Sequence, residues 1–265
     1  MSAREGGPVR YRARVEYDGT DFAGFQAQAG RRTVQGELER VLAQVSGDRP
    51  IRVEAAGRTD AGVHAAGQVI AFTYAGRLDP TDLGQALAGL LPADIAVGRL
   101  IRVPAGYRPR YEAVSREYRY SIWNGPPSPL RERYALGVRE KLDTEAMVAA
   151  AERLTGRHDF SAFNGGDRQP IRTLHRVGIR RSGRMVTVQV VGDSFLRQMV
   201  RRLVAALLRV GRGQATVDDV SAALRERRPA FSGDVAPPAG LCLWHVELAG
   251  PSRRLDKRAD EQQDL

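Results

Sequence analysis

The segment AAGRTDAGVHAAGQ, Ala55 to Gln68, sets one arginine, one threonine, one aspartate and one histidine among small residues. Gly57 and Gly62 bracket Arg58-Thr59-Asp60-Ala61. Glycine permits positive φ and close approach of a ligand's backbone. An aspartate held there, at the end of a strand, is exposed where folds commonly present their chemistry. A nearby cation lowers a carboxylate's pKa, so Arg58 is placed to hold Asp60 ionised. A carboxylate that stays charged in a closed site suits nucleophilic work. The plain alternative is an Asx-turn, in which Asp60 and Thr59 only satisfy backbone amides. His64 is a candidate base; its expected part is to orient the turn.

Other chemistries find less support. His64, His158, His175 and His245 are scattered without metal-ligand spacing, so no metal is expected. No G-x-S-x-G or Walker loop occurs. The TDAG run would suit an aspartic protease only if a second such aspartate shared its proton, and none occurs. Cys242 is the only cysteine, which excludes an internal disulfide and a cysteine-based zinc site.

A second cluster is YRPRYEAVSREYRY, Tyr107 to Tyr120, where four of the chain's 8 tyrosines stand among arginines. Aromatics interleaved with arginine suit base stacking beside phosphate contacts. The competing reading makes Tyr118 and Tyr120 core residues of a strand, and for Tyr120 that reading is preferred. The whole chain is basic: the formal net charge is +10, and all 41 basic residues except Lys141 and Lys257 are arginine. Nucleotide bias explains arginine over lysine but not the net charge, which points to nucleic acid as a partner. No run of apolar residues is long enough to span a membrane. The first ten residues lack the apolar core of a secretory signal. A cytoplasmic protein is expected.

The elements that would position these residues can be read from periodicity. After a loose arm over residues 1–8, Val9, Tyr11, Ala13, Val15 and Tyr17 alternate with polar residues as a strand with one buried face. Thr33 caps a helix carrying Val34, Leu38, Val41, Leu42 and Val45 at helical spacing. A short strand over 51–55 enters the turn, and one over 68–74 leaves it. Asp79-Pro80 starts a helix with Leu83, Leu87 and Leu90 inward. A strand over 95–103 follows. In the second half, Tyr118, Tyr120 and Ile122 alternate on a strand, and a helix covers 143–154. Strands over 174–181 and 185–191 form a hairpin across Ser182-Gly183. A long helix covers 195–210, and the Gly211 to Ala215 stretch ends it. Thr216 opens another, with Asp219 completing a capping box. A last strand covers 241–248, and the charged, aperiodic tail over 251–265 is expected to be disordered.

The fold class is therefore α+β, with two comparable halves, 9–106 and 107–250, sharing a sheet. On the long helix, Leu196, Met199, Val200, Leu203, Leu207 and Val210 make one apolar stripe. Arg202 and Arg209 fall on the solvated back, and Arg197 falls on the flank of the stripe. A partly buried arginine wants a carboxylate. Asp60 is one candidate, and nothing in the periodicity selects it.

Taken together, these residues resemble the TruA family of tRNA pseudouridine synthases. The resemblance runs from about Arg10 to Val246. Its central motif is GRTDAGVHA, Gly57 to Ala65, flanked by EYDGTDFAGFQAQ (Glu16 to Gln28), REYRY (Arg116 to Tyr120), HDFSAF (His158 to Phe163), SFLRQMVRRLV (Ser194 to Val204) and PAGLCL (Pro238 to Leu243). The resemblance implies a pseudouridine-synthase fold of two RRM-like, ferredoxin-like halves sharing a mixed, mainly antiparallel sheet with flanking helices. It implies isomerisation of uridine to pseudouridine at positions 38, 39 and 40 of the tRNA anticodon arm, by a homodimer, with no cofactor. In its terms Asp60 is the catalytic residue and Arg58 helps extrude the target nucleotide, an unstacking that costs a few kcal/mol. Tyr118 stacks on the base, and Arg197 pairs with the aspartate. The chain departs from the family at Phe25, often tryptophan, at Ala27, often arginine, and at Ala205, usually glycine. The first two bear on tRNA contacts and the third on packing. A non-catalytic RRM-like RNA binder would keep the charge and tyrosines but leave Asp60 idle. A carboxylate-based glycosylase would want a second carboxylate.

Overall fold

The alternation beginning at Val9 forms strand β1, Val9–Tyr17, in a computed structural model that describes residues 7–227, 231 and 234–250. The arm expected over 1–8 and the tail over 251–265 lie, apart from Gly7 and Pro8, outside the described residues. After β1 come α1 (Val34–Val45), β2 (Glu54–Ala55), β3 (His64–Tyr74), α2 (Pro80–Leu90), β4 (Ile95–Val97), β5 (Ile101–Arg102) and a short α3 (Pro109–Glu112). Then follow β6 (Ala113–Asn124), a short α4 (Pro129–Glu132), β7 (Leu136–Val138), α5 (Thr144–Leu154), β8 (Gly156–Asp159), β9 (Ile171–Ser182) and β10 (Met185–Gly192). Helices α6 (Met199–Gly211) and α7 (Val217–Glu226) and strand β11 (Leu241–Leu248) complete the order. The class is mixed α+β. The chain divides into two units. The first holds the described residues of Met1–Ala61, Ala65–Val114 and His245–Leu265; the second holds Gly62–His64 and Ser115–Trp244.

In the first unit β1 is the central strand. It pairs antiparallel with β3 on one side and with β4 and β5 on the other, and β2 pairs with β3. Tyr11, Ala13, Val15 and Tyr17 are buried as their alternation requires. Thr33 caps α1 by accepting from Gly36 N at 3.2 Å, and Val34, Leu38, Val41 and Leu42 are buried. Asp79 caps α2 by accepting from the amides of Thr81 and Asp82. Leu83 and Leu87 are buried, but Leu90 is 40% exposed, because the chain leaves the helix there and is extended at Leu91. The strand expected over 95–103 is split, since Leu100 tucks inward between β4 and β5 while Gly98 N donates to Arg14 O at 2.8 Å. β3 begins at His64, earlier than alternation suggests. Nearly all its residues are buried, so polar and apolar side chains do not alternate along it.

In the second unit the strands run β6-β10-β9-β8, all antiparallel, with β7 parallel to β6. Tyr118, Tyr120 and Ile122 are buried and lie opposite Val190, Val188 and Val186. Asp143 caps α5, and the Thr216–Asp219 capping box opens α7. The helix expected from Phe195 starts at Met199. Gln198, at φ 59, is left-handed and cannot continue a right-handed helix backward. Within α6, Met199, Leu203 and Leu207 are fully buried. Arg202 and Arg209 are half-buried rather than solvated. Arg202 bonds Gln198 Oε1 at 3.2 Å, while Arg209 pairs with Asp234 at 2.9 Å. β11 is divided between the units, with Leu241 to Trp244 in the second and the rest in the first.

Tyr120 is a core residue. It is fully buried, its hydroxyl donates to Pro237 O at 2.8 Å, and burial pushes its pKa up against the opposing effect of Arg201. Gly240 rests on its ring: a Cβ there would lie 2.7 Å from the ring and from Ser121 O. Gly240→Ala is therefore expected to destabilise the protein by roughly 1–3 kcal/mol through overpacking. Thermal or urea unfolding measures this, and an unchanged midpoint would contradict it.

Candidate active site

Asp60 lies on the turn between β2 and β3, half-buried, with Arg58 exposed and Thr59 buried beside it. Thr59 fastens the turn twice. Its hydroxyl is 2.7 Å from the Tyr17 hydroxyl, in a buried hydrogen bond, and its carbonyl accepts from Phe25 N at 3.1 Å. Gln68 is fully buried in β3; its Nε2 donates to Gly57 O at 2.9 Å. Ala56 N donates to Val69 O at 2.9 Å. Buried polar groups with partners are costly to displace, so these bonds fix the backbone that presents Asp60.

Gly24 presses on the same backbone. Its φ is +104°, and a Cβ there would stand 3.0 Å from Thr59 O and 3.4 Å from the carbonyl carbon of Asp60. Gly24→Ala is expected to cost about 1–3 kcal/mol in strain and to slow turnover roughly tenfold by shifting the Asp60 backbone. Gly30 also has positive φ, +68°, but has open space around it. Gly30→Ala therefore serves as the control, with a smaller stability loss and wild-type turnover. Equal turnover losses in the two variants would contradict the contact argument.

Phe25 underlies the turn: it is buried, its ring centroid lies 6.2 Å from that of Tyr17, and its carbonyl accepts from Gln35 N at 2.9 Å. The departure at Phe25 thus falls on a residue that packs against Tyr17 and the turn. Ala27 is exposed, and Ala205 is buried in α6.

Past Ala61 the chain enters the second unit. Gly62, at φ +75°, packs so tightly on Pro238 that a Cβ would come within 2.8 Å of its ring. His64 is buried, with Nε2 3.1 Å from Ala239 O and its ring edge-on to Tyr134, centroids 5.2 Å apart. A carbonyl only accepts, so Nε2 carries the proton. That bond gives His64 an orienting role.

Tyr118 and Arg197 both belong to the second unit. Tyr118 is buried in β6, and Phe195 meets it edge to face at 5.1 Å between centroids. Arg197 precedes α6 instead of lying on its flank, and it is exposed rather than partly buried. The helical-wheel placement fails because the wheel is undefined before Met199. What holds Arg197 is a loop that sequence reasoning missed. Gly165 N donates to Arg197 O at 3.0 Å, and Arg197 N donates to Asp167 Oδ2 at 2.5 Å. Asn164 folds that loop, its Oδ1 accepting from the amides of Gly166 and Asp167 at 2.9 and 2.8 Å. The run Asn164-Gly-Gly-Asp167 was the available signal, as an Asx-turn before two glycines. Of the clustered tyrosines only Tyr111 is exposed; Tyr107, Tyr118 and Tyr120 are buried, so the stretch is not a continuous stacking surface. Among the described residues no group of three His, Cys, Asp or Glu side chains is placed to hold a metal ion. No helix among them is long and apolar enough to cross a membrane.

A mixed α+β chain with a carboxylate-bearing turn between β2 and β3 has close parallels in sequence. The profile of the family described as tRNA pseudouridine synthase matches residues 13–112 and 150–248, which include Arg58, Asp60 and Arg197 but not Tyr118. The chain belongs to that family. Its similarity to individual members spans nearly the whole length. The tRNA pseudouridine synthase A of Thermosipho melanesiensis is 42% identical over 241 residues, 89% of this chain and 98% of the relative. The protein of that name from Shouchella clausii is 39% identical over 246 residues, 91% of this chain and 94% of the relative. That from Solidesulfovibrio magneticus is 42% identical over 254 residues, 92% of each chain.

Proposed function

We propose that this chain is a tRNA pseudouridine synthase that isomerises uridine in the anticodon arm, at positions 38, 39 and 40, with Asp60 as its catalytic carboxylate. The observation that carries the reading is the family match across the Asp60 turn, on a backbone fastened by Tyr17, Gln68 and Gly24. In the reaction the N1–C1′ bond breaks, the base turns, and C5 bonds to C1′. The C5 proton is lost and N1 regains one, so atoms balance without hydrolysis or redox change. Asp60 acts at the nucleoside during bond cleavage. Arg58, exposed beside it, fills the place of the extruded nucleotide. Tyr118 stacks on the base, its hydroxyl assists removal of the C5 proton, and Arg197 pairs with Asp60. The N-terminal half, 9–106, carries the catalytic turn, and 107–250 forms the C-terminal half. The enzyme works in the cytoplasm as a homodimer whose subunits both contact the tRNA.

The test is an anticodon-arm transcript tritiated at uridine C5, incubated with the protein alone. Release of tritium supports the reading. Salt-sensitive binding without release would favour the non-catalytic RNA binder.

A further inference from the structure

Beyond the Asp60 turn, the second unit carries a cleft of about 390 Å³ lined by Arg157, Arg168, Gln169, Arg172, Thr173 and Asp193. Three arginines thus line one open cleft whose lining also includes a single acidic residue. That carboxylate is already engaged: Asp193 Oδ1 accepts from Ser194 N at 2.5 Å and from the Ser194 hydroxyl.

The cleft is built from a strand pair and the loop that follows Asn164. Arg157 and Arg172 lie on the antiparallel strands β8 and β9, where Arg157 pairs with Thr173 and His158 with Arg172. Arg172 Nη1 donates to Gln169 O at 2.8 Å and to Ile171 O at 2.7 Å, which curls its side chain over the loop. Its Nε is buried and meets no hydrogen-bond acceptor among the described residues. Arg168 follows Asp167 on the loop that Asn164 stiffens, and Phe160 N donates to Pro170 O at 3.0 Å at the loop's far end. A guanidinium fork matches the oxygens of a phosphodiester, which it contacts in pairs.

We infer that this arginine cleft binds a backbone phosphodiester of the RNA substrate, outside the residues that act on the target uridine. The inference rests on the RNA-modifying reading above and deepens it. The cleft's loop is also the loop that holds Arg197 through Gly165 and Asp167. A phosphate seated there settles the segment from which Arg197 projects.

The experiment measures affinity for the anticodon-arm transcript as a function of salt. It compares wild type, Arg157→Gln/Arg168→Gln, and the control Arg153→Gln/Arg225→Gln, which removes equal charge at exposed helix positions outside the cleft. The cleft variant is expected to bind about tenfold more weakly, with the slope of log affinity against log salt reduced by about 0.9. The control keeps the wild-type slope. Arg168→Gln alone, at an exposed loop position, shifts binding the same way by less. Equal slopes for the cleft and control variants, in a protein whose wild type turns the transcript over, would overturn the cleft and leave the function standing. A wild type that neither binds nor converts the transcript would overturn both. Inorganic phosphate alone, added at millimolar concentration, is expected to leave transcript binding to the cleft variant unaffected beyond its ionic strength. Competition equal to that seen with wild type would place the phosphate elsewhere.

Discussion

Asp60→Asn is expected to release no tritium above background from the C5-labelled transcript, a loss on the order of 10⁴-fold or more in turnover. The amide keeps the shape of the carboxylate and loses its charge and nucleophilicity. Asp60 is half-buried, and bonds from Thr59, Gly57 and Ala56 hold the turn that carries it. Melting temperature and RNA affinity should therefore stay near wild type. Asp60→Ala should behave alike in turnover. If either variant retained more than about a hundredth of the wild-type rate, Asp60 could not be the essential group.

Tyr118→Phe is expected to lower kcat by about 10²-fold while transcript affinity stays within about twofold, the range expected when one group assisting a proton transfer is removed. The ring is what packs: Tyr118 is buried with Phe195 edge-on at 5.1 Å, and phenylalanine preserves both that contact and stacking on a base. The hydroxyl is then the sole change. A variant with unaltered kcat would confine Tyr118 to stacking. A variant with weakened binding and unaltered kcat would place its hydroxyl on the RNA instead.

Much of the scaffold was legible because its signals are local. The alternation in Val9–Tyr17 has one buried face and one polar face, so period two survives in the sequence. Thr33, Asp79, Asp143 and Thr216 each cap the helix they precede, since their side chains satisfy amides that no other group can reach. β3 was read short because burial along nearly its whole length erases alternation and small residues mask it. Arg197 was misplaced because a periodic reading carries a helix through Gln198, whose left-handed backbone leaves no trace in composition. A continuous stacking surface over the tyrosine cluster is absent for a similar reason. Tyr107 and Tyr120 are polar-tipped aromatics that serve equally as core, and only packing decides between the two.

In the site itself, GRTDAG was readable as a glycine-bracketed turn carrying a carboxylate. Its fastening was not. Gly24 and Tyr17 are distant in sequence from Asp60, and Gln68 reaches Gly57 O only once the turn between β2 and β3 has folded. The clasp that Asp167 makes on Arg197 spans a loop and a strand hairpin, so no window of sequence contains both ends.

The most direct measurement is nucleoside analysis of an unmodified tRNA transcript after incubation with wild-type protein and no other component. Pseudouridine within the anticodon arm, with the chain intact and no free uracil, is the expected result. Free uracil with an abasic sugar would show that the bond is broken but not remade, and unchanged uridine on a bound transcript would show that it is not broken at all. Either outcome would contradict isomerisation by this protein.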